Sequence, residues 1–105
     1  MSEERVAATA DVPEGEVRVV QCGARSLALS HLEGAFYAID NRCTHDDGPL
    51  GEGRLRNGRV ICPRHGAAFD AKTGRVLSLP AVRSVAAYPT SVSGDSVYVD
   101  CEAGR

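Results

Sequence analysis

Short apolar runs, broken by glycine, asparagine and proline, follow one another along most of the chain. Alternation over a few residues between turn-forming residues is typical of β-strands. The predicted strands are residues 27–32, 35–39, 54–56, 60–61, 76–77, 82–88 and 97–101, with Val17, Val19, Val20, Phe69 and Val92 in further β-type runs. The predicted turns are Glu33-Gly34, Asn57-Gly58, Lys72-Thr73-Gly74 and Ser93-Gly94-Asp95. No stretch predicts a helix of normal length, so we expect an all-β fold that begins with antiparallel hairpins.

Two segments interrupt this pattern. Residues 41–53 and 62–67 have neither the period of a strand nor that of a helix, and we interpret them as ordered loops. A chain of 105 residues is the usual size of one domain. We therefore expect a single domain over residues 1–105, in which both ends of the chain form a β base and residues from about 41 to 81 form an inserted piece. That piece has few apolar residues, and a bound metal centre could supply part of its folding energy.

Charge excludes some classes of partner. With 14 acidic and 12 basic residues the net charge is -2, which offers no broad positive field to nucleic acid or to anionic lipid. No stretch is long and apolar enough to cross a bilayer, and residues 1–5 lack the basic start and apolar run of a secretory signal. The expected location is the cytoplasm.

Four cysteines then need an explanation. In a reducing cytosol, metal or redox chemistry is a better first hypothesis than two disulfides. Cys43 and His45 form a C-x-H pair, and Cys62 and His65 form a C-x-x-H pair after 16 intervening residues. Thiolate and imidazole ligands leave zinc, copper and iron–sulfur centres open. Zinc knuckles usually pair cysteine with cysteine, whereas a Rieske centre uses two cysteines on one iron and two histidines on the other, which one pair from each loop would provide.

The remaining candidates have ordinary structural interpretations. Cys22 and Cys101 have no histidine nearby and are expected to be small buried hydrophobic residues. His31 lies in a strand pattern and is expected to be a sheet residue. Gly48, Gly66 and Pro80 are expected to support the metal centre by allowing the backbone to lie close to the cluster. Arg64 is interpreted equally well as a solvated loop charge or as part of a docking surface.

The segments Cys43-Thr44-His45-Asp46-Asp47-Gly48-Pro49-Leu50 and Cys62-Pro63-Arg64-His65-Gly66-Ala67-Ala68-Phe69-Asp70 resemble the two cluster-binding boxes of Rieske proteins. The resemblance continues weakly along nearly the whole chain and is strongest to the small ferredoxins of bacterial ring-hydroxylating oxygenases. It implies a Rieske-type antiparallel β-sandwich base with a small inserted cluster-binding subdomain. It also implies a [2Fe-2S] cluster held by Cys43, His45, Cys62 and His65, with both histidines near an exposed tip.

The function implied by this resemblance is that of a soluble one-electron carrier rather than an enzyme. Such a carrier takes electrons from a flavoprotein reductase and delivers them to a terminal oxygenase, through transient contacts and as a monomer. Two alternatives are a Rieske-like small subunit of an assimilatory nitrite reductase and an interaction domain in which zinc only holds the loops together.

Departures from the respiratory Rieske subunits predict a low reduction potential. Gly48 and Arg64 stand where those subunits have the cysteines of an inter-loop disulfide, and Ala67 and Phe69 stand where they have a serine and a tyrosine. Hydroxyl groups that donate to sulfur stabilise the added electron, so their loss predicts a potential of about -150 mV. Asp46 and Asp47 should act in the same direction.

Overall fold

Ten β-strands and two short 3-10 helices make up the regular structure of the described residues, which are 3–44, 47–79, 81 and 83–105 of the computed structural model. The strands are β1 (Glu3–Ala8), β2 (Val17–Cys22), β3 (Arg25–Leu32), β4 (Ala35–Asp40), β5 (Arg54–Arg56), β6 (Arg59–Ile61), β7 (Ala68–Asp70), β8 (Ala87–Tyr88), β9 (Thr90–Ser93) and β10 (Ser96–Asp100). The 3-10 helices are Thr9–Asp11 and Leu50–Glu52. No α-helix occurs in these residues, and every strand pairing is antiparallel, so the all-β prediction is confirmed. Within the same part of the chain, no helix has the length and apolar character needed to span a membrane.

The base contains two sheets. One has the strand order β2-β3-β4-β8, and its central hairpin pairs Leu27 with Asp40 and Leu32 with Ala35. The predicted turn between β3 and β4 is present: Glu33 and Gly34 both have positive φ angles, of 52° and 80°. Two successive residues of that kind form the tight turn whose twist suits a hairpin.

The other sheet of the base joins the two ends of the chain, in the order β1-β10-β9. β1 was not among the predicted strands. Three of its six residues are charged, so its sequence lacks an alternating pattern, and its pairing with β10 makes it a strand instead. The pairing runs from Glu3 opposite Asp100 to Ala8 opposite Ser96, with an irregularity between Arg5 and Ala7.

The third sheet, β5-β6-β7, lies within the segment between β4 and β8. The predicted Asn57-Gly58 turn connects β5 to β6, with φ angles of 53° and 76°. The prediction of a strand over residues 82–88 was too long, because only Ala87–Tyr88 is a strand and Val82 lies outside the described residues. Val85 instead bonds to a loop, where its N donates to Gly74 O at 2.9 Å, and Ala86 bonds to Asp40 at the end of β4.

Two hydrophobic clusters fill the interior, and each contains one pair of cysteines. The cluster of the base contains Leu27, Leu29, Val97 and Val99 together with Cys22 and Cys101. The second cluster contains Ile39, Leu50, Val60 and Phe69 together with Cys43 and Cys62. Cys22 and Cys101 are buried, as expected, but a disulfide also joins them, which the sequence did not predict.

Candidate metal centre

Two loops carry the cysteines that were predicted to be ligands. The first loop follows β4 and contains Cys43, and the second follows β6 and begins with Cys62. Both side chains are buried, with 0 % and 2 % of their surfaces exposed. Both belong to the same hydrophobic cluster, so the structure places these two candidate sulfur ligands in one buried region of the molecule.

The first loop folds back on itself around Cys43. The amide of Cys43 donates to Gly48 O at 2.9 Å, and the amide of Asp47 donates to Cys43 O at 2.8 Å. Asp47 has a φ angle of 62°, which few residues other than glycine, asparagine and aspartate adopt. The turn thus fixes the backbone on both sides of residues 45 and 46. His45, a predicted ligand, and Asp46 lie outside the described residues.

An ion pair changes the electrostatics expected for this loop. Arg42 Nε lies 2.5 Å from Asp47 Oδ1, and both side chains are exposed. The hydrogen bond and the charge of Asp47 raise the pKa of the Arg42 guanidinium, which stays protonated. Since a cation is paired with Asp47, that carboxylate disfavours an added electron less than the sequence suggested.

The second loop presents its residues to solvent. Cys62 N donates to Ala67 O at 2.8 Å, and Gly66 N donates to Cys62 O at 3.2 Å. Gly66 has a φ angle of 78°, so a side chain at this position would strain the turn. Between the two anchors, His65 and Arg64 are exposed, while Ala67 is fully buried. One loop therefore holds a buried sulfur and an exposed imidazole three residues apart.

Asn41 connects the first loop to the base, and sequence reasoning did not single it out. Its Oδ1 accepts a hydrogen bond from Gly51 N at 2.6 Å, and its Nδ2 donates to Ser26 Oγ of β3 at 3.0 Å. Gly51 is also packed tightly: a Cβ there would lie 2.6 Å from Val19 Cγ2 and 2.9 Å from Val19 N. The loop thus rests directly on β2, and its position depends on one amide side chain and one glycine.

A third segment, after β7, is hydrogen-bonded to the first loop and to the start of β7. Ser78 Oγ accepts a hydrogen bond from Ala68 N at 3.0 Å, and Leu77 N donates to Ala68 O at 2.8 Å. Thr44 Oγ1 donates to Arg83 O at 2.6 Å and so joins this segment to the first loop. Ala81 is buried beside these loops, whereas Pro80, for which a role near the cluster was predicted, lies outside the described residues.

The chemistry of the donors fits a two-iron cluster. Thiolate and imidazole are ligands of zinc and of iron–sulfur centres alike. In a Rieske centre two cysteines bind one iron and two histidines bind the other. The structure describes two buried cysteines and one exposed histidine on two loops, and these donors fit such a centre.

A separate group of three potential donors, whose ligand atoms all lie within 4.8 Å of one another, occurs in the described part of the chain. It consists of Glu4, Cys22 and Cys101, in the base of the molecule. It shares no residue with the two loops.

Comparison with known proteins gives consistent matches. The family described as the Rieske [2Fe-2S] domain matches residues 2–89. The ferredoxin component of the naphthalene 1,2-dioxygenase system of Pseudomonas aeruginosa is 38% identical over 90 residues, which are 86% of this chain and 86% of that protein. The 3-phenylpropionate/cinnamic acid dioxygenase ferredoxin subunit of Escherichia coli strain K12 is 40% identical over 92 residues, 87% of this chain and 86% of that one.

A solved structure agrees with these relatives. In the complex of reduced oxygenase and oxidized ferredoxin of carbazole 1,9a-dioxygenase, one chain superposes with a TM-score of 0.85 at 34% identity. The match covers 93% of this chain and 92% of that chain.

Proposed function

The chain belongs to the Rieske [2Fe-2S] domain family, and from that premise we propose that it carries single electrons from a flavoprotein reductase to a terminal ring-hydroxylating oxygenase. The observation that carries the proposal is the match in length: two dioxygenase ferredoxins are covered over 86% of their own sequences. Both relatives are named as ferredoxins of dioxygenase systems, and we infer that this chain likewise transfers electrons while another protein acts on the substrate. We also propose that the protein is a monomer and is located in the cytoplasm.

Cys43 and Cys62 would hold one iron of the cluster, and His45 and His65 the other. When bound, the cluster supplies a site that accepts and releases one electron. The buried position of the two cysteines keeps water from the thiolates, and the closed backbone turns around each of them fix their orientation. His65 lies on the exposed side of its loop, where a partner protein can approach it.

The loops that carry the candidate ligands, and the segment after β7, expose side chains of the kind found at transient docking sites. Arg64 and Arg83 are exposed, and Leu79 is the most exposed of the large hydrophobic side chains in the described residues, at 76 %. A small mixed surface of this kind suits the weak, short-lived complexes of electron carriers. The ferredoxin–oxygenase complex of the carbazole system supports an oxygenase as the partner.

The first experiment compares two histidine variants. His65→Gln is expected to abolish the Rieske-type EPR spectrum of the reduced protein, because one iron loses an imidazole ligand. His31→Gln is the matched control: His31 lies in β3 of the base, stacks on Phe36 and contacts Val12 O at 2.8 Å. An unchanged spectrum in His65→Gln would refute the ligand assignment.

The second experiment tests the partners. The purified protein is mixed with a ferredoxin reductase, a reduced nicotinamide and the terminal oxygenase of an aromatic dioxygenase system, and product formation is followed. Turnover that requires this protein, without a stable complex, is the expected result. A tight stoichiometric complex with a sirohaem protein would instead favour the nitrite reductase subunit, and a colourless protein with zinc and no acid-labile sulfide would favour the zinc-stapled domain.

A further inference from the structure

The disulfide of the base lies in a different hydrophobic cluster from the predicted cluster ligands. Cys22 is the last residue of β2, and Cys101 follows β10 directly. Their Cα atoms are 5.9 Å apart, within the usual range for a disulfide, and the bond spans a sequence separation of 79. It therefore joins the two sheets of the base.

The same bond fastens the start of the C-terminal tail. Beyond Cys101, Arg105 exchanges two backbone hydrogen bonds with Ala87 of β8, at 2.8 and 2.9 Å. Gly104 lies so close to Tyr88 that a Cβ would be 2.6 Å from the ring. The tail is thus held at both ends, by a covalent bond at one end and by β8 at the other.

A carboxylate lies next to the two sulfurs. The ligand atoms of Glu4, Cys22 and Cys101 all lie within 4.8 Å of one another. Glu4 Oε2 accepts a hydrogen bond from Gly23 N at 2.8 Å, which holds the carboxylate in place. Two other charged side chains, Arg25 and Glu102, line the same surface depression. The Arg25 guanidinium lies over the Tyr88 ring, 5.8 Å from its centroid.

We propose that Cys22 and Cys101 form a second redox site of this protein, a two-electron dithiol–disulfide couple whose exchange with small thiols is slowed by Glu4. This inference rests on the cytoplasmic location proposed above, because a disulfide in a reducing compartment is usually a transient or redox-sensing bond. Both cysteines line a surface depression of the base together with Glu4. Both cysteines are buried, and Cys101 is the more exposed residue, at 5 % against 1 % for Cys22, so we expect attack at Cys101 Sγ.

Exchange with a monothiol opens the bond in two steps. The thiolate of a monothiol such as glutathione attacks Cys101 Sγ, the sulfur–sulfur bond breaks, and Cys22 Sγ leaves as a thiolate that takes a proton. A second monothiol attacks the mixed disulfide and leaves two protein thiols and one small disulfide. The protein gains two electrons and two protons, and the reverse reaction with the small disulfide closes the bond.

Glu4 opposes this exchange because negative charge builds up on the sulfurs as the thiolate attacks. Two unit charges 4.8 Å apart, the upper limit for this group, interact in water with an energy that corresponds to about a fourfold change in rate. The same carboxylate slows reduction and reoxidation alike. Glu4 is therefore a positioning residue, whose charge sets the rate of exchange without contributing a bonding atom.

Alkylation of the holoprotein tests the couple itself. The purified protein is equilibrated with oxidised glutathione, denatured and treated with iodoacetamide, and the modified peptides are identified by mass spectrometry. Modification of Cys43 and Cys62 alone is expected, and modification of Cys22 and Cys101 should follow only after prior reduction. Alkylation of all four cysteines without reduction would overturn the proposal. This outcome is independent of the cluster assignment, because each cysteine is read separately.

The role of Glu4 is tested by rates of opening in reduced glutathione. Glu4→Gln keeps an oxygen acceptor for Gly23 N and removes the charge, so opening should be about fourfold faster. Glu3→Gln, which removes a charge at the adjacent position of β1, is the matched control and should open at the wild-type rate. Equal rates in the two variants would refute the role of Glu4. The visible spectrum of the cluster, recorded in the same samples, should not change as the disulfide opens.

Discussion

Replacement of Phe69 by tyrosine is expected to raise the reduction potential of the cluster. The Phe69 side chain is fully buried in the same hydrophobic cluster as Cys43 and Cys62. Tyrosine occupies this place in the respiratory Rieske subunits that the second box resembles, and its hydroxyl donates to cluster sulfur there. In Phe69→Tyr, the new hydroxyl is buried and needs an acceptor within the protein, and a ligand or cluster sulfur is the acceptor that this resemblance implies.

The size of the shift follows from the energy of one hydrogen bond. A hydrogen bond contributes about 1 kcal/mol to the free energy of folding. We expect a similar difference between the two redox states, because the hydrogen bond strengthens when its acceptor gains an electron. For a one-electron couple, a tenfold change in equilibrium is about 59 mV, or about 1.4 kcal/mol. The expected increase is therefore about 40 mV, from a wild-type potential of about -150 mV.

Protein-film voltammetry measures both potentials, and Phe36→Tyr provides the control. Phe36 is also buried, at 6 % exposure, but lies in the hydrophobic cluster of the base. The same hydroxyl added there should leave the potential unchanged. Equal shifts in the two variants, or a fall in potential in Phe69→Tyr, would refute the reasoning. A constant potential together with a fall of about 1–3 kcal/mol in the free energy of unfolding would show that the buried hydroxyl has no acceptor, and that outcome also counts against the reasoning.

Three further predictions concern stability. Reduction of the Cys22–Cys101 disulfide, whose separation is 79 residues, should lower the free energy of unfolding by about 4.5 kcal/mol and the thermal midpoint by about 20 °C; an unchanged midpoint would contradict this. Asn41→Ala leaves a loop amide without its acceptor and should cost about 1–3 kcal/mol, with faster loss of the visible cluster spectrum on heating. Gln21→Ala removes an exposed amide that donates at 3.3 Å to Ser26, the serine to which Asn41 also donates, and should lower the free energy of unfolding much less. Burial and the hydrogen bond to a carboxylate raise the pKa of Tyr88 to about 12, so stability is fully present below pH ~10 and falls as pH rises toward 12. Tyr88→Phe should lack that fall in denaturant titrations over the same pH range.

Features with local causes could be predicted from the sequence. The Asn57-Gly58 and Glu33-Gly34 turns form where they were predicted, because adjacent positive φ angles favour glycine and asparagine, and each pair has glycine at its second position. The two candidate ligand pairs are also local, since each consists of a cysteine and a histidine two or three residues apart in the sequence. The assignment of all four ligands remains a prediction, and His45 lies outside the described residues.

Features with distant causes could not be predicted. β1 is a strand because β10 pairs with it from the other end of the chain, and nothing in its own six residues indicates this. The segment of residues 83–86 has a β-type sequence, yet Val85 N bonds to Gly74 in a loop. Propensity describes what a segment tolerates, and the neighbours it meets in the folded chain decide which structure it adopts.

The two cysteine pairs show the same difference between local and distant causes. Cys43 and Cys62 are separated by a short hairpin, and each has a histidine beside it, so their partnership can be inferred from spacing. Cys22 and Cys101 have no local pattern, and only the packing of the two sheets brings them together, next to Glu4. Since each pair lies in its own hydrophobic cluster, a change in the redox state of one need not disturb the packing around the other. A fold that separates them in this way can keep a one-electron site at its loops and a two-electron site in its base.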